Sequence, residues 1–384
     1  MRPHRFHLNV TEKCNIRCIH CYWEEYGKHR DPSLETIDQI LTKFKDLGKA
    51  YGEHGRHILT IGGGEPTVRK DLQEIIRLAV RRRFRVRLVT NAVKIDEPYA
   101  RSLKRAGLRI AQVSLDGACE ATHDRVRGKG NWARTMRGIH ALKKAGIFVI
   151  LSYVVLPGVN LEEAPLLLNL VQQLKVAGAK FARPVREGQA ILHQVEVRGD
   201  YWSIFKRIVD HAGQIHYKRL LMFFDPLAHL LPIEQPASQK GLWGLATDLC
   251  QCDNTELIEV NGSSGDVYYC RIRHKLGNLW EQDLTRLWQS HPVLVGLRSK
   301  TPGGACDGCD AWKGCRGGCP AVVHGNTGLT LLQDSDCHRV QEQAAPPVTF
   351  GRGPFSSTKP LGVGESLELL GKRMRDMAYF VVLR

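Results

Sequence analysis

Short apolar runs with strand-like alternation recur through the first half of the chain, and longer stretches with helical periodicity lie between them. Phe6-His7-Leu8-Asn9-Val10 opens the series, apolar and polar positions alternating as in a strand with one buried face. Strands are predicted over 5–10, 57–62, 84–90, 109–115, 147–154 and 179–183, and helices over 33–48, 70–82, 96–106, 131–145 and 161–176. Gly48, Gly107, Gly146 and Gly178 fall near helix ends, where a residue tolerating left-handed backbone stops the helix. Regular strand–helix alternation predicts a parallel α/β sheet, and six such units make a partial (β/α)6, TIM-like barrel. An amphipathic helix over 199–213 and the extended run Leu220-Leu221-Met222-Phe223-Phe224 then bridge to a region of different composition, rich in Cys, Gly and hairpin signals. The expected division is a barrel over 1–190, a bridge over 191–248, a small Cys-rich domain over 249–340 and a tail over 341–384.

In parallel α/β barrels the chemistry gathers on the loops at the carboxyl ends of the strands. The unusual motifs follow that rule. Cys14, Cys18 and Cys21 follow the first predicted strand, Gly63-Gly64-Glu65-Pro66 the second and Asn91 the third. Ser114 and Asp116 close the fourth, Ser152 lies in the fifth and Arg183 ends the sixth. A Cys-x3-Cys-x2-Cys loop can wrap one iron–sulfur cube at three corners, leaving the fourth iron open to a ligand. Half of a zinc site is the other reading of three clustered thiols. Glycines followed by Glu65 and Pro66 suit close backbone approach to a ligand, with a carboxylate to accept from an ammonium. A plain tight turn explains the same residues more cheaply. Asn91, Ser114 and Asp116 are short polar groups suited to ribose hydroxyls and an amino-acid head, or to caps and turns.

Composition narrows the setting. The chain has 384 residues, 43 % of them hydrophobic, enough for sizeable cores. No apolar run reaches the ~18 residues of a membrane span, and the amino terminus leads straight into a strand, so a cytoplasmic protein with no membrane partner is expected. Of 12 Cys, three lie in the first loop, eight between Cys250 and Cys337, and Cys119 stands alone. With no secretory signal, such a set points to metal ligation rather than disulfides, and eight thiols suffice for two cubes with four ligands each. The formal charge of +16 brings nucleic acid or an acidic partner into view. Its densest stretch, Arg81 to Arg87, reads as a solvated wall or as a contact for an acidic peptide or polycarboxylate.

The Cys14–Cys21 loop resembles the signature of the radical S-adenosylmethionine (radical SAM) enzymes. His20 stands where that family usually has an aromatic residue. In the family, the open iron chelates S-adenosylmethionine, and one electron from the [4Fe–4S] cluster releases a 5′-deoxyadenosyl radical that takes a hydrogen atom from substrate. The resemblance extends to Gly63-Gly64-Glu65-Pro66, which would cradle the methionine amino group, and to His123-Asp124-Arg125-Val126-Arg127-Gly128, with Arg127 facing the cofactor carboxylate. Asn91, Ser114, Asp116 and Ser152 would complete the S-adenosylmethionine site. The second half, Cys252-x12-Gly265-x4-Cys270 and then Cys306-x2-Cys309-x5-Cys315-x3-Cys319 with Cys337, resembles the SPASM extension of some members. On that pattern Cys306, Cys309, Cys315 and Cys337 hold one auxiliary cluster, and Cys250, Cys252, Cys270 and Cys319 the other, giving three [4Fe–4S] clusters in all. Cys250 and Cys252 are one residue apart, tighter than usual, which leaves open whether Cys250 is a ligand. A zinc ribbon fits the same cysteines taken alone.

The function implied is a radical SAM/SPASM oxidoreductase that modifies a ribosomally made peptide or protein by crosslinking, epimerisation or side-chain oxidation. An electron donor such as flavodoxin or ferredoxin is implied with it. The first cluster Cys comes at residue 14, leaving no room before it for a peptide-recognition domain, so leader recognition is expected to need a separate leader-peptide-binding protein or another surface. A tetrapyrrole or other small-molecule substrate, and a sulfatase-type maturase, are the enzyme alternatives. A zinc-bearing nucleic-acid-binding protein is the rival class, and it lacks a reading helix or stacking platform. Cys119, on the loop leaving the fourth strand, is either a hydrogen-atom donor to a substrate radical or an ordinary loop thiol.

Overall fold

A computed structural model describes residues 5–52, 57–231, 248–249, 257–270 and 275–343. Its strands are β1 (Arg5–Asn9), β2 (Ile58–Gly62), β3 (Arg85–Thr90), β4 (Ile110–Ser114), β5 (Phe148–Val154), β6 (Gly178–Ala182), β7 (Leu220–Phe223), β8 (Asp248–Leu249), β9 (Leu257–Asn261), β10 (Asp266–Tyr269) and β11 (Lys275–Asn278). They form one sheet in the order β11-β10-β9-β1-β2-β3-β4-β5-β6-β7-β8. Strands β1 to β7 run parallel in sequence order, as βαβ crossovers require. The crossovers carry α1 (Leu34–Ala50), α2 (Leu72–Arg81), α3 (Glu97–Ala106), α4 (Glu120–Arg127), α5 (Asn131–Lys144) and α6 (Leu167–Leu174); α7 (Gln189–Leu192) and α8 (Tyr201–Gln214) follow β6.

The alternation read from the sequence sorts side chains between two layers. Phe6, Leu8, Leu59, Ile61, Val86 and Leu88 point to the helices and are buried. Their neighbours Arg5, His7, Ile58, Thr60 and Arg87 line an interior cavity instead. On the helical side Phe6 stacks on Phe44 of α1 at 4.5 Å between ring centroids, fixing the first helix to the first strand. Caps match the boundaries: Ser33 accepts from Thr36 N ahead of α1, and Asp96 from Tyr99 N ahead of α3.

Three differences from the sequence reading have physical causes. The segment predicted as one helix over 161–176 is a 3-10 turn, Leu161–Leu166, followed by α6, because Pro165 cannot donate to the ladder. Helix α4 was not predicted. It is only 8 residues long, between Gly117 and Gly128, and has little apolar periodicity to betray it. Lastly, the sheet does not stop at six strands. Leu220–Phe223, expected as a bridge, pairs parallel with β6. On the other side β9, from the Cys-rich region, pairs parallel with β1 over five residues, Arg5 against Leu257 to Asn9 against Asn261. Buried side chains lock that seam: Asn9 Nδ2 donates to Glu259 Oε1 at 2.7 Å, and Asn261 Nδ2 to Glu12 Oε1 at 2.8 Å. The expected tail over 341–384 lies outside the described residues from 344 onward.

Candidate active site

A cavity of about 560 Å³ opens among the strands and their carboxyl-end loops. Cys14, Cys18 and Cys21 all line it. The loop that carries them is held from within and from outside. Cys21 N donates to Cys18 O at 3.2 Å, closing a turn, and Ile19 N donates to Val126 O of α4 at 3.1 Å. Arg17 Nη1 donates to the carbonyls of Cys14 and Ile16 at 3.0 Å while its guanidinium sits 4.1 Å over the Tyr26 ring. Burial pushes the Cys18 thiol up to about 12 and raises Cys14 as well, so without a metal these thiols stay protonated. A metal centre would displace those protons. Three thiols on one cavity wall are a donor set that fits a cubane cluster with one open corner.

The glycine motif sits directly against this loop. Gly63 has φ +125°, and a Cβ there would strike the Thr11 carbonyl; one on Gly64 would strike the Lys13 carbonyl. Gly64 N donates to Thr11 O and Glu65 N to Lys13 O, both at 2.8 Å. The glycines therefore bring backbone onto the segment, just past β1, that leads into the three cysteines. Glu65 lines the cavity, yet its carboxylate already receives four donors: Thr67 N at 3.0 Å, Thr67 Oγ1 at 2.6 Å, and Thr90 Oγ1 and Asn91 N at 2.7 Å. Burial raises its pKa, with these hydrogen bonds pulling the other way. Pro66 opens the 3-10 turn that positions Thr67. Asn91 Nδ2 donates to Asn15 Oδ1 at 2.8 Å, a second tie to the cysteine loop.

Ser114 and Ser152 face each other in register on β4 and β5 and line the cavity. Gln112, which the sequence reading passed over, donates to Ser152 Oγ at 3.2 Å and accepts from Lys180 Nζ at 3.3 Å. Both were legible only as inward positions of alternating strands. Asp116 is elsewhere: it is fully buried and is not part of the cavity wall. It accepts from Arg127 Nε at 2.6 Å and Val154 N at 2.8 Å, with His20 Nε2 at 3.4 Å. Burial acts to raise Asp116, but Arg127, His20 and the Val154 N–H outweigh it and hold the carboxyl below its usual range. Arg127 reaches the cavity and also donates to Cys18 Sγ at 3.5 Å. Cys119 is not brought to the cavity. It is exposed at the start of α4, its Sγ 3.6 Å from Glu163 Oε1 and 3.5 Å from Thr122 Oγ1.

The later cysteines divide into two places. Cys306, Cys309, Cys315 and Cys337 surround one small cavity with Trp312 and Leu230. Burial pushes Cys315 up to about 12 and raises Cys306 and Cys337. Four thiols around one space are the residues that would hold a four-ligand cluster. Cys270 and Cys319 line the large cavity instead, and Cys250 and Cys252 lie outside the described residues. Arg183 connects the two places. Fully buried at the end of β6, it pairs with Asp225 and Asp334 at 2.5 Å and with Asp336 at 3.3 Å, beside Cys337. Nothing in the spacing of those aspartates announced this cluster.

A parallel sheet with a three-thiol loop at the end of its first strand defines a class of enzyme, and comparison with known proteins agrees. A profile of the Radical SAM superfamily matches residues 8–171. AdoMet-dependent heme synthase of Oleidesulfovibrio alaskensis is 34 % identical over 354 residues, 85 % of each chain. Mycofactocin maturase MftC of Mycobacterium ulcerans is 28 % identical over 357 residues, 89 % of each chain. The crystal structure of Streptococcus suis SuiB bound to precursor peptide SuiA superposes with a TM-score of 0.65 at 18 % identity, over 88 % of this chain and 76 % of that one, a likeness of fold. The chain belongs to the radical SAM superfamily. It is an enzyme of that class, with the [4Fe–4S] cluster and S-adenosylmethionine the class implies. No helix among the described residues is long and apolar enough to cross a membrane.

Proposed function

We propose that the enzyme modifies a side chain of a ribosomally made peptide or protein, using three [4Fe–4S] clusters. Cys14, Cys18 and Cys21 hold the cluster that supplies an electron to S-adenosylmethionine. Cys306, Cys309, Cys315 and Cys337 hold a second, and Cys270 and Cys319 a third, together with Cys252 and Cys250. The observation that carries this reading is that Cys14, Cys18, Cys21, Cys270 and Cys319 line one cavity, so the thiols of both halves of the chain face the space a substrate would enter. Gly63, Gly64, Glu65, Asn91, Ser114, Ser152 and Arg127 bound the part of that space suited to S-adenosylmethionine, with Pro66 shaping the turn after Glu65 and Asp116 holding Arg127 from behind. A relative named as a maturase and a structural neighbour solved with a bound precursor peptide favour a peptide substrate. The working partners are a flavodoxin- or ferredoxin-type electron donor and a separate protein that presents the peptide leader.

The test begins with anaerobic reconstitution. About twelve irons and little zinc per chain are expected, with 5′-deoxyadenosine formed from S-adenosylmethionine under reductant. Changing Cys14, Cys18 and Cys21 together to Ala should abolish that product and leave about eight irons. Full zinc occupancy without visible charge-transfer absorption would overturn the cluster assignment. A second reading, a carboxylate-bearing tetrapyrrole or other small molecule, is favoured by Arg5, Arg87 and Lys180 lining the cavity and by the relative named as a heme synthase. Mass spectrometry of candidate peptides and of an acidic tetrapyrrole after turnover separates the two.

A further inference from the structure

Arg127 is the last residue of α4 and is 8 % exposed. Its Nε is committed to Asp116 at 2.6 Å, and Nη1 is turned to the Cys18 sulfur at 3.5 Å. Asp116, wholly buried, is itself fixed by the Val154 N–H at 2.8 Å and stands 3.4 Å from His20 Nε2. The main chain repeats the grip, with Ile19 N on the Val126 carbonyl at 3.1 Å. The guanidinium is thus set against the sulfur by groups that belong to the folded chain. A role confined to a cofactor carboxylate does not explain that orientation.

We propose that Arg127, oriented by Asp116, is a positioning residue that donates to the Cys18 sulfur and raises the reduction potential of the first cluster. The inference rests on the reading of Cys18 as a ligand of that cluster. Reduction adds negative charge that spreads onto the cluster sulfurs, so a fixed cationic donor stabilises the reduced form more than the oxidised one. Asp116 works against it. A buried carboxylate next to the guanidinium offsets part of its field, in surroundings where charges are weakly screened. The two residues therefore have opposite signs of effect, which a merely structural pair would not have.

The experiment measures the midpoint potential of the first cluster by EPR-monitored redox titration of the reconstituted full chain without S-adenosylmethionine. The first-cluster signal is the one absent from the variant with Cys14, Cys18 and Cys21 changed to Ala. Arg127→Gln is expected to shift the potential downward, Arg127→Lys to a lesser extent, and Asp116→Asn to shift it upward. No shift, or shifts of the same sign in the Arg127 and Asp116 variants, would overturn the proposal. If Arg127→Gln fails to keep the cluster, the signs in Arg127→Lys and Asp116→Asn decide the matter alone: downward and upward support it, any other pair overturns it. A wild-type signal that survives loss of the three cysteines would instead overturn the ligand reading, and the proposal with it.

Discussion

His123 shows how one buried side chain can shape the response of this protein to acid. Its Nδ1 accepts from the Asp116 main-chain N–H at 3.3 Å, which requires a neutral ring. Burial, then the charge of Arg127, brings its pKa down from 6.5 to about 4. Between those values the unfolded chain takes up a proton that the folded chain refuses, so stability falls as pH falls through that window, by up to ~3 kcal/mol. Denaturant midpoints at about pH 7 and about pH 5 should show the loss, and His123→Gln should flatten it. A variant with the same acid sensitivity would place the titration elsewhere. At this scale the sequence was legible as position and not as partnership. Strand ends place Glu65, Asn91 and Ser114 at the cavity, while Arg127 reaches it from the end of α4. That Glu65 serves Thr67, Thr90 and Asn91, and that Asp116 turns away to Arg127, depends on contacts between segments distant in the chain, which alternation cannot encode.

The elements around the cysteine loop act as a cradle, and α7 supplies one side of it. Gly188, just before α7, has φ +53°, and Gln189 N donates to Cys21 O at 2.8 Å. A Cβ on Gly188 would meet the Tyr22 carbonyl oxygen at 2.5 Å and the Cys21 carbonyl oxygen at 2.8 Å. Both are main-chain atoms, so the loop itself would have to move. Gly188→Ala should therefore lower iron content by about four per chain and slow S-adenosylmethionine cleavage, leaving the remaining iron bound. Full iron loading and unchanged cleavage would show that this contact does not set the loop. The principal helices and strands of the barrel were readable because each repeats a period long enough to see. Helix α4 and the turn at Gly188 were not, since their geometry comes from what they pack on. The Arg81–Arg87 run illustrates the same division: Arg81, Arg82, Arg83 and Arg85 are exposed, as a solvated wall predicts, while Arg87 turns into the cavity.

At the scale of the whole molecule, the sheet ignores the boundary suggested by composition. Change of residue usage near Cys250 marks where the cysteine-rich segment begins, but β9 completes the sheet on the open side of β1. A chain ending at residue 248 would expose that edge, with five residues' worth of strand pairing lost and Glu12 and Asn9 deprived of Asn261 and Glu259. Such a fragment should aggregate or unfold at markedly lower denaturant than the full chain, as size-exclusion chromatography and unfolding midpoints would report. A stable monomeric fragment would mean that β1 tolerates an open edge. The same seam has a consequence in time. Strand β1 is made well before its second neighbour, β9, which leaves the ribosome only after more than two hundred further residues, so the wall that bears the first three thiols is finished late. Metal delivered to the nascent chain would meet a half-built pocket, and correct loading belongs to the period after the last strand is in place.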